Sequence, residues 1–330
     1  MITPVYNGGG LIADCIRSVQ AQDRGDWVHL VVDNASTDDT VRIVADAAAD
    51  DPRVRLVRFD QHLEMLGSWN RATAQAPGEI PWVKHLGADD RMVPQCLTAM
   101  LAAAAHPDTV MVAARWREGS VVAPSRAVPP PHRMPGREAM RRYLLGGPDT
   151  FGTPSACMFR REAIVDGAHL YPQEPWPPGH PHGAPGPATD KIGCATVLER
   201  GEFVFVPQVL TYDVVRAGAQ SGFAMRMRIQ VPGDLDALLI VGPRFLTRSE
   251  FARRVRVMTS RYSQSLIKAT ALGRPVREPE FATLHHYVLR HLDGALAQAG
   301  LTRTRGLLAP HRAVYAAAHR RAQRRPDAAR

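Results

Sequence analysis

Val28-His29-Leu30-Val31-Val32-Asp33-Asn34-Ala35-Ser36-Thr37-Asp38-Asp39-Thr40 is the stretch from which the rest of the chain can be read. The run 28–32 has the length and β-branched content of a buried strand, and it ends at an aspartate. A polar cluster, 34–39, then leads into Val41, Ile43, Val44 and several alanines, which the spacing predicts as a helix. Upstream, Leu11, Ile12, Cys15, Ile16 and Val19 recur at helical spacing behind the Gly8-Gly9-Gly10 turn. Downstream, strands are expected at 54–59, 82–86 and 110–114, and helices at 66–76 and 94–105. This alternation means βαβ units and a mostly parallel sheet covered on both faces. In such sheets ligands sit outside the carboxyl ends of the strands. Two acidic clusters fall there, Asp33 after one strand and Asp89-Asp90 after another.

A length of 330 residues suits one large α/β unit with an appendage. An apolar content of 45% is enough for a real core and excludes wholesale disorder. The four cysteines, Cys15, Cys96, Cys157 and Cys194, form no CxxC pair, which argues against a disulfide framework or a zinc ribbon and for a reducing cytoplasm. No apolar run approaches the ~20 residues of a membrane helix. The opening residues carry neither a charged leader nor an apolar stretch, so no signal peptide is expected. The histidines show no metal-ligand spacing.

The net charge of +9 is unevenly spread: residues 1–120 hold 11 Lys and Arg against 16 Asp and Glu, so the excess lies in the remainder. Residues 303–330 alone hold eight arginines and one acid. Such an end reads either as a solvated terminus in an arginine-biased composition (38 Arg against 3 Lys) or as a surface for an anionic partner. No helix-turn-helix, RNA-recognition or zinc-finger signature accompanies it, so nucleic acid is not an expected partner.

Four pieces stand in order over the first ninety residues: Thr3-Pro4-Val5-Tyr6-Asn7; Val31 to Thr40; Gly67-Ser68-Trp69-Asn70-Arg71-Ala72; and Ile80 to Asp90. Together they resemble the nucleotide-sugar-binding half of the family 2 glycosyltransferases, whose pattern is P-x-Y-N, VDDxSxDxT, G-x-x-x-N and a strand ending L-x-x-DD. The resemblance implies a three-layer α/β/α GT-A fold, Rossmann-like, with a mixed, mostly parallel sheet. It also implies that Asp33 reads the base, with Pro4, Val5, Tyr6 and Asn7 around it, and that Asn70 and Ala88 lie on the donor. A carboxylate at a strand's end can accept from the imide N–H of uracil or thymine. Asp89 and Asp90 are the implied holders of Mn²⁺ or Mg²⁺, which need only one or two protein carboxylates beside a diphosphate. The chain departs from the family's D-x-D here, because Gly87 stands where the first aspartate is usual. Ser36 and Asp38 are alternatively caps of the following helix. Lys84 either pairs an acid, reaches a phosphate, or sits at an edge.

Further on, Gly152 to Glu162 resembles the segment beneath the family's acceptor site, and Asp190 matches the catalytic base of inverting members. Thr189 and Asp190 also suit the start of a helix expected over 189–199. Glu174, in the Pro/Gly/His-rich loop 171–188, is the second candidate base. The stretch 210–221 stands where many members carry Y-R-x-H, with Asp213 and Val215 in place of the Arg and His and Arg216 as a substitute phosphate contact. A strand is expected at 203–206, and helices beyond 223.

The expectation is therefore a glycosyltransferase domain over 1–222 (nucleotide sugar on 1–115, acceptor on 116–222) and a basic helical region over 223–330. It would move a sugar from a uridine- or thymidine-linked nucleotide-diphosphate sugar to a hydroxyl of a glycan, a lipid-linked glycan or a small molecule. The basic region would contact the inner face of a membrane peripherally. The rival readings are a catalytically degenerate relative that binds or scaffolds, and a sugar-nucleotide pyrophosphorylase, whose G-x-G-x-R loop is not matched by Gly8-Gly9-Gly10.

Overall fold

The computed structural model describes residues 1–124, 128, 132–164, 169–172, 176–180, 188–214 and 220–324. The chain divides into two units, Met1–Pro172 with Asp190–Arg216, and Gln173–Thr189 with Ala217–Arg330.

The first unit is built on ten strands among the described residues: β1 (Ile2–Val5), β2 (His29–Asn34), β3 (Val54–Phe59), β4 (Trp82–Lys84), β5 (Arg91–Met92), β6 (Thr109–Glu118), β7 (Val121–Ala123), β8 (Arg133–Pro135), β9 (Cys157–Arg160) and β10 (Glu202–Asp213). Helices α1 (Ile12–Gln20), α2 (Thr40–Asp50), α3 (Met65–Thr73), α4 (Cys96–Ala103), α5 (Gly136–Leu144) and α6 (Thr189–Leu198) connect them. β1, β2 and β3 pair in parallel, with Thr3 opposite Val31 and Val5 opposite Asp33. A parallel bridge from Ile2 to His85 joins this half to the order β4-β9-β6-β10-β5. β9 is antiparallel to both β4 and β6, while β6 and β10 are parallel. β1, β2, β3, β4, β6 and β10 thus all run one way. The sheet is mixed and mostly parallel, with the strand–helix alternation expected from the sequence.

Burial explains the periodicities. Ile12, Cys15, Ile16 and Val19 form the inner stripe of α1 and pack in one core with Val5, Val31, Val44, Leu86, Met100 and Val112. β2 is buried along its whole length, so it reads as a continuous apolar run rather than an alternating one. β10 is much longer than the 203–206 expected. It continues past Pro207 by slipping register between Val206 and Val209, and Pro at such an irregularity forfeits no ladder bond.

The second unit is helical: α7 (Gln220–Met227), α8 (Gln230–Phe245), α9 (Arg248–Ala271), α10 (Arg274–Arg277), α11 (Pro279–Gln298), α12 (Thr302–Arg305) and α13 (Ala309–Gln323). Thr247 and Glu250 form a capping box at the start of α9. Buried Tyr262 donates to His285 Nδ1 (2.7 Å), whose Nε2–H goes to the Met227 carbonyl (2.7 Å), locking α9 to α11 and to the end of α7. Burial pushes the His285 pKa down to about 4, so this histidine is a neutral structural group. Among the described residues no helix is long and apolar enough to cross a membrane. All four cysteines are free and buried.

Candidate functional site

The loops after β1 and β2 are stitched to each other at the carboxyl ends of their strands. The Asn7 N–H donates to Ser36 Oγ (2.9 Å), and Asn7 Oδ1 accepts from the Thr37 N–H (2.8 Å). The Gly8 N–H donates to Thr40 Oγ1 (2.9 Å) and the Gly9 N–H to Asp38 Oδ2 (3.0 Å). Asp38 Oδ1 also accepts from the Thr40 N–H (3.0 Å), so this carboxylate holds the start of α2 and the β1–α1 turn together. The Thr40 hydroxyl bond, with burial opposing it, keeps the Asp38 pKa below the ordinary carboxylate value. Asn7 (φ 50°) and Ala35 (φ 65°) both sit in the left-handed region, which asparagine tolerates and which costs alanine about 1–2 kcal/mol. Strain of this kind collects at sites whose shape matters.

Asp33 lies beneath this pair of loops, 1% exposed, accepting from the Ser36 N–H at 3.2 and 3.3 Å. Pro4 and Val5 are buried in β1, whereas Tyr6 turns outward, 49% exposed, with its ring 4.3 Å from that of His62. His62 was not legible as a site residue in the sequence. Its place comes from Asn34, whose side-chain oxygen takes the Leu63 N–H (3.0 Å) and whose amide donates to the Leu63 carbonyl (2.8 Å), folding the 61–63 turn back over β2.

The loop after β4 carries Ala88, Asp89 and Asp90, all partly exposed. Gly87 is buried beneath them; its N–H donates to Ser155 Oγ (2.9 Å) and its carbonyl accepts from the Asp90 N–H (3.0 Å). The Ser155 hydroxyl in turn donates to Asp90 Oδ2. A side chain at position 87 has no space: its Cβ would stand 2.6 Å from Asp90 Oδ2 and 3.1 Å from Asp89 Oδ1. Lys84 is buried in β4 and donates to the Ser155 carbonyl, which answers the question its position in a strand raised.

Asp213, at the end of β10, is the neighbour of Asp90 that the sequence did not announce. The Val214 N–H reaches Asp90 Oδ1 (3.4 Å), and Asp213 Oδ1 is buried with no hydrogen-bond partner. Burial first, then the Asp90 charge, with the Thr153 hydroxyl opposing, Glu118 adding and Lys84 opposing, pushes the Asp213 carboxyl up to about 8. Burial, partly offset by the Ser155 hydrogen bond and reinforced by Asp89, pushes Asp90 up to about 6. Both carboxyls therefore hold protons in the folded chain at pH values where the unfolded chain has released them. Their contribution to stability is greatest below about pH 4 and falls as pH rises to about 8. Asp213→Asn should accordingly raise the melting temperature more at pH 8 than at pH 5, and leave it unchanged near pH 4. Equal effects at both pH values, read by thermal melts, would refute this.

Hard oxygen donors, one of them an orphaned buried carboxylate oxygen, suit a divalent cation. Among the described residues no three His, Cys, Asp or Glu side chains are grouped closely enough to hold one unaided. The set fits an ion that also takes ligands from a diphosphate and water.

Asp190 stands in the first turn of α6, where Lys191 Nζ donates to its Oδ2 (2.9 Å). Buried Lys191 also meets Asp149 Oδ2 (3.0 Å) and the Gly152 carbonyl. Burial opposes its charge, but Asp149 and Asp190 together outweigh that and raise its pKa. The segment 149–157 thus spans the two acidic centres, holding Lys191 and Asp190 at one end and Ser155 and Asp90 at the other. Asp149 and Lys191 were not singled out in the sequence; a lone Asp-Thr-Phe-Gly and a lysine next to a helix cap carry no local signal.

Asn70 differs from its expected role. It is 3% exposed, and its amide is engaged on backbone: Oδ1 accepts from the Leu170 (3.1 Å) and Tyr171 (3.0 Å) N–H groups, and Nδ2 donates to the Tyr171 carbonyl (2.7 Å). Below it, Thr73 gives its proton to the Trp69 carbonyl and so accepts from His85 Nε2 (2.9 Å), leaving His85 Nδ1 to accept from Tyr171 Oη (2.9 Å). Asn70 is the clamp that fixes residues 170–171 to α3. Glu174, Val215 and Arg216 lie outside the described residues.

Known proteins fit this geometry. In sequence the chain is 27% identical over 174 residues to MT1568 of Mycobacterium tuberculosis (strain CDC 1551 / Oshkosh), 49% of this chain and 53% of that protein. It therefore spans about half the length of the curated relative it matches. In structure it resembles S. aureus TarS 1-349 in complex with UDP-GlcNAc (TM-score 0.63, 17% identity, 98% of this chain and 90% of the other). It also resembles the mannosyltransferase PcManGT of Pyrobaculum calidifontis in complex with GDP-Man and Mn²⁺ (TM-score 0.52, 18% identity, 98% and 83%). At these identities the likeness is one of fold. The model of the family described as "Glycosyl transferase family 2" matches residues 1–167, and with that match the chain belongs to glycosyl transferase family 2.

Proposed function

We propose that the chain transfers a sugar, with inversion, from a uridine- or thymidine-linked nucleotide-diphosphate sugar to an acceptor hydroxyl. The observation that carries this reading is the segment 149–157, which ties the acids after β4 to Asp190 through Ser155 and Lys191. Asp33 would accept from the base imide while Tyr6 and His62 cover its face. Asp89 and Asp90 would hold Mn²⁺ or Mg²⁺ together with the diphosphate, and such an ion supplies charge neutralisation for the departing nucleotide. Asp190 would take the proton of the acceptor hydroxyl as it attacks from the opposite face. Lys191 would keep that carboxylate oriented. The acceptor would be a glycan, a lipid-linked glycan or a small molecule, and the basic helical region would bring the chain to an anionic membrane surface. Uridine is favoured by the TarS complexes with UDP and UDP-GlcNAc, and the ion by the Mn²⁺ complex of PcManGT. Gly87 in place of an aspartate favours a second reading, a relative that binds a donor without turning it over.

A thermal-shift panel separates these. UDP or a UDP-sugar with Mn²⁺ should raise the melting temperature, a hundredfold excess over Kd adding about 2.7 kcal/mol. Mn²⁺ alone should leave it unchanged, because the donor set needs the diphosphate, and GDP should act more weakly than UDP. A shift without turnover in an acceptor screen supports the binding-only reading; the absence of any nucleotide shift overturns both.

A further inference from the structure

The basic excess of the helical unit has a sharper location than its arginine-rich end. From residue 251 to 277 the chain carries seven basic residues and no acid, the nearest being Glu250 and Glu278 at the two ends. Most of this stretch is α9, whose 24 residues make a rod of about 36 Å. Its buried stripe, Phe251, Val255, Met258, Tyr262, Leu266 and Ala269, packs inside the unit. On the opposite stripe, at helical spacing, stand exposed Arg253, Arg256, Arg261 and Lys268, with Val257 (40% exposed) and Ile267 (56% exposed) between them. A row of cations with aliphatic side chains interleaved, free of acids, is complementary to an anionic lipid interface: phosphates take the guanidinium groups and the acyl boundary takes the aliphatic ones. The terminal stretch presents less of this, since Arg305 and Arg312 are spent on Asp293 and the exposed cations there are mainly Arg320 and Arg321 on α13 and Arg324 just after it.

We infer that the outer face of α9 is a docking surface for anionic lipid, laid flat on the bilayer; this rests on the membrane contact proposed above and names its site. The test is sedimentation of the full chain with vesicles of phosphatidylcholine alone or with phosphatidylglycerol, at low and high salt. The chain should pellet with the anionic vesicles only, and less at high salt. Reversing Arg253, Arg256 and Arg261 to Glu should weaken binding by at least about 100-fold, at roughly fivefold for each of the three cations removed. Ile267→Ser with Val257→Ser should weaken it less, and neither variant should move the melting temperature or the UDP shift, since all five side chains are exposed. If reversing Arg320, Arg321 and Arg324 abolishes binding while the α9 reversal does not, the membrane contact stands and its assignment to α9 falls. Equal pelleting with both vesicles, or none with either, overturns both. A wild-type oligomer that the Ile267 and Val257 variant dissociates, read by light scattering, would make this face an interface between copies and overturn the assignment.

Discussion

Asp190→Asn should lower kcat by about 10²–10⁴-fold, the range a positioned general base contributes, with donor affinity unchanged within about twofold. The substitution removes the basic carboxylate but keeps an oxygen that can accept from Lys191 Nζ, and Asp149 and the Gly152 carbonyl still hold that ammonium. The fold should therefore survive, which separates this variant from Asp190→Ala. The alanine leaves buried Lys191 with one carboxylate instead of two and should cost stability as well as turnover. Single-turnover kinetics with a saturating donor, alongside a UDP titration, checks both parts. Turnover within a few-fold of wild type in Asp190→Asn would move the base elsewhere, and weakened UDP binding would mean that Asp190 acts on the donor.

Gly87→Asp, which restores the family's usual aspartate, should destabilise the protein by about 2–3 kcal/mol and gain no affinity for Mn²⁺. The new Cβ would stand 2.6 Å from an oxygen of Asp90, and that carboxylate has little room to yield: Ser155 donates to it on one side and the Val214 N–H on the other. A further carboxylate would also join two whose ionisation burial and mutual charge already disfavour. Gly87→Ala should show the steric part alone. Urea denaturation measures the loss, and isothermal titration of Mn²⁺ in the presence of UDP measures the affinity. Unchanged stability with tighter Mn²⁺ binding would show that the loop opens easily and that the glycine is a lost ligand rather than a packing solution.

Strands β2, β3, β4 and β6 and helices α1 to α4 and α6 were legible because their apolar residues fall in runs or stripes that burial demands, whereas β5, β7, β8, β9 and α5 carry no such local signal. Val28 to Val32 and the Leu11 to Val19 stripe leave no other arrangement that covers their apolar side chains. Asp33, Asp89 and Asp190 were legible because they stand at the ends of such elements. Asp213 was not, because Pro207 and Gln208 interrupt the alternation that would have carried the strand to it; only the slipped pairing of β10 on β6 brings it beside Asp90. Asn70 looked like a donor contact because a G-x-x-x-N spacing says nothing about which way the amide faces, and a segment 100 residues away claimed it. Lys191 and Asp149 are partners 42 residues apart, a pairing that no local pattern encodes.

The four thiols have a practical consequence. Cys15 is held up to about 12 by burial, Cys96 is raised by burial, and Cys194 is raised by its contact with Cys157 and by burial. All four sulfurs are buried, Cys157 included, so in the folded protein they are silent toward maleimides and other alkylating reagents at neutral pH. A cysteine introduced on the surface would then be the one reactive sulfur. A polarity-sensitive fluorophore or spin label could be fixed on α9, or beside Tyr6, in a chain that keeps all of its native residues elsewhere.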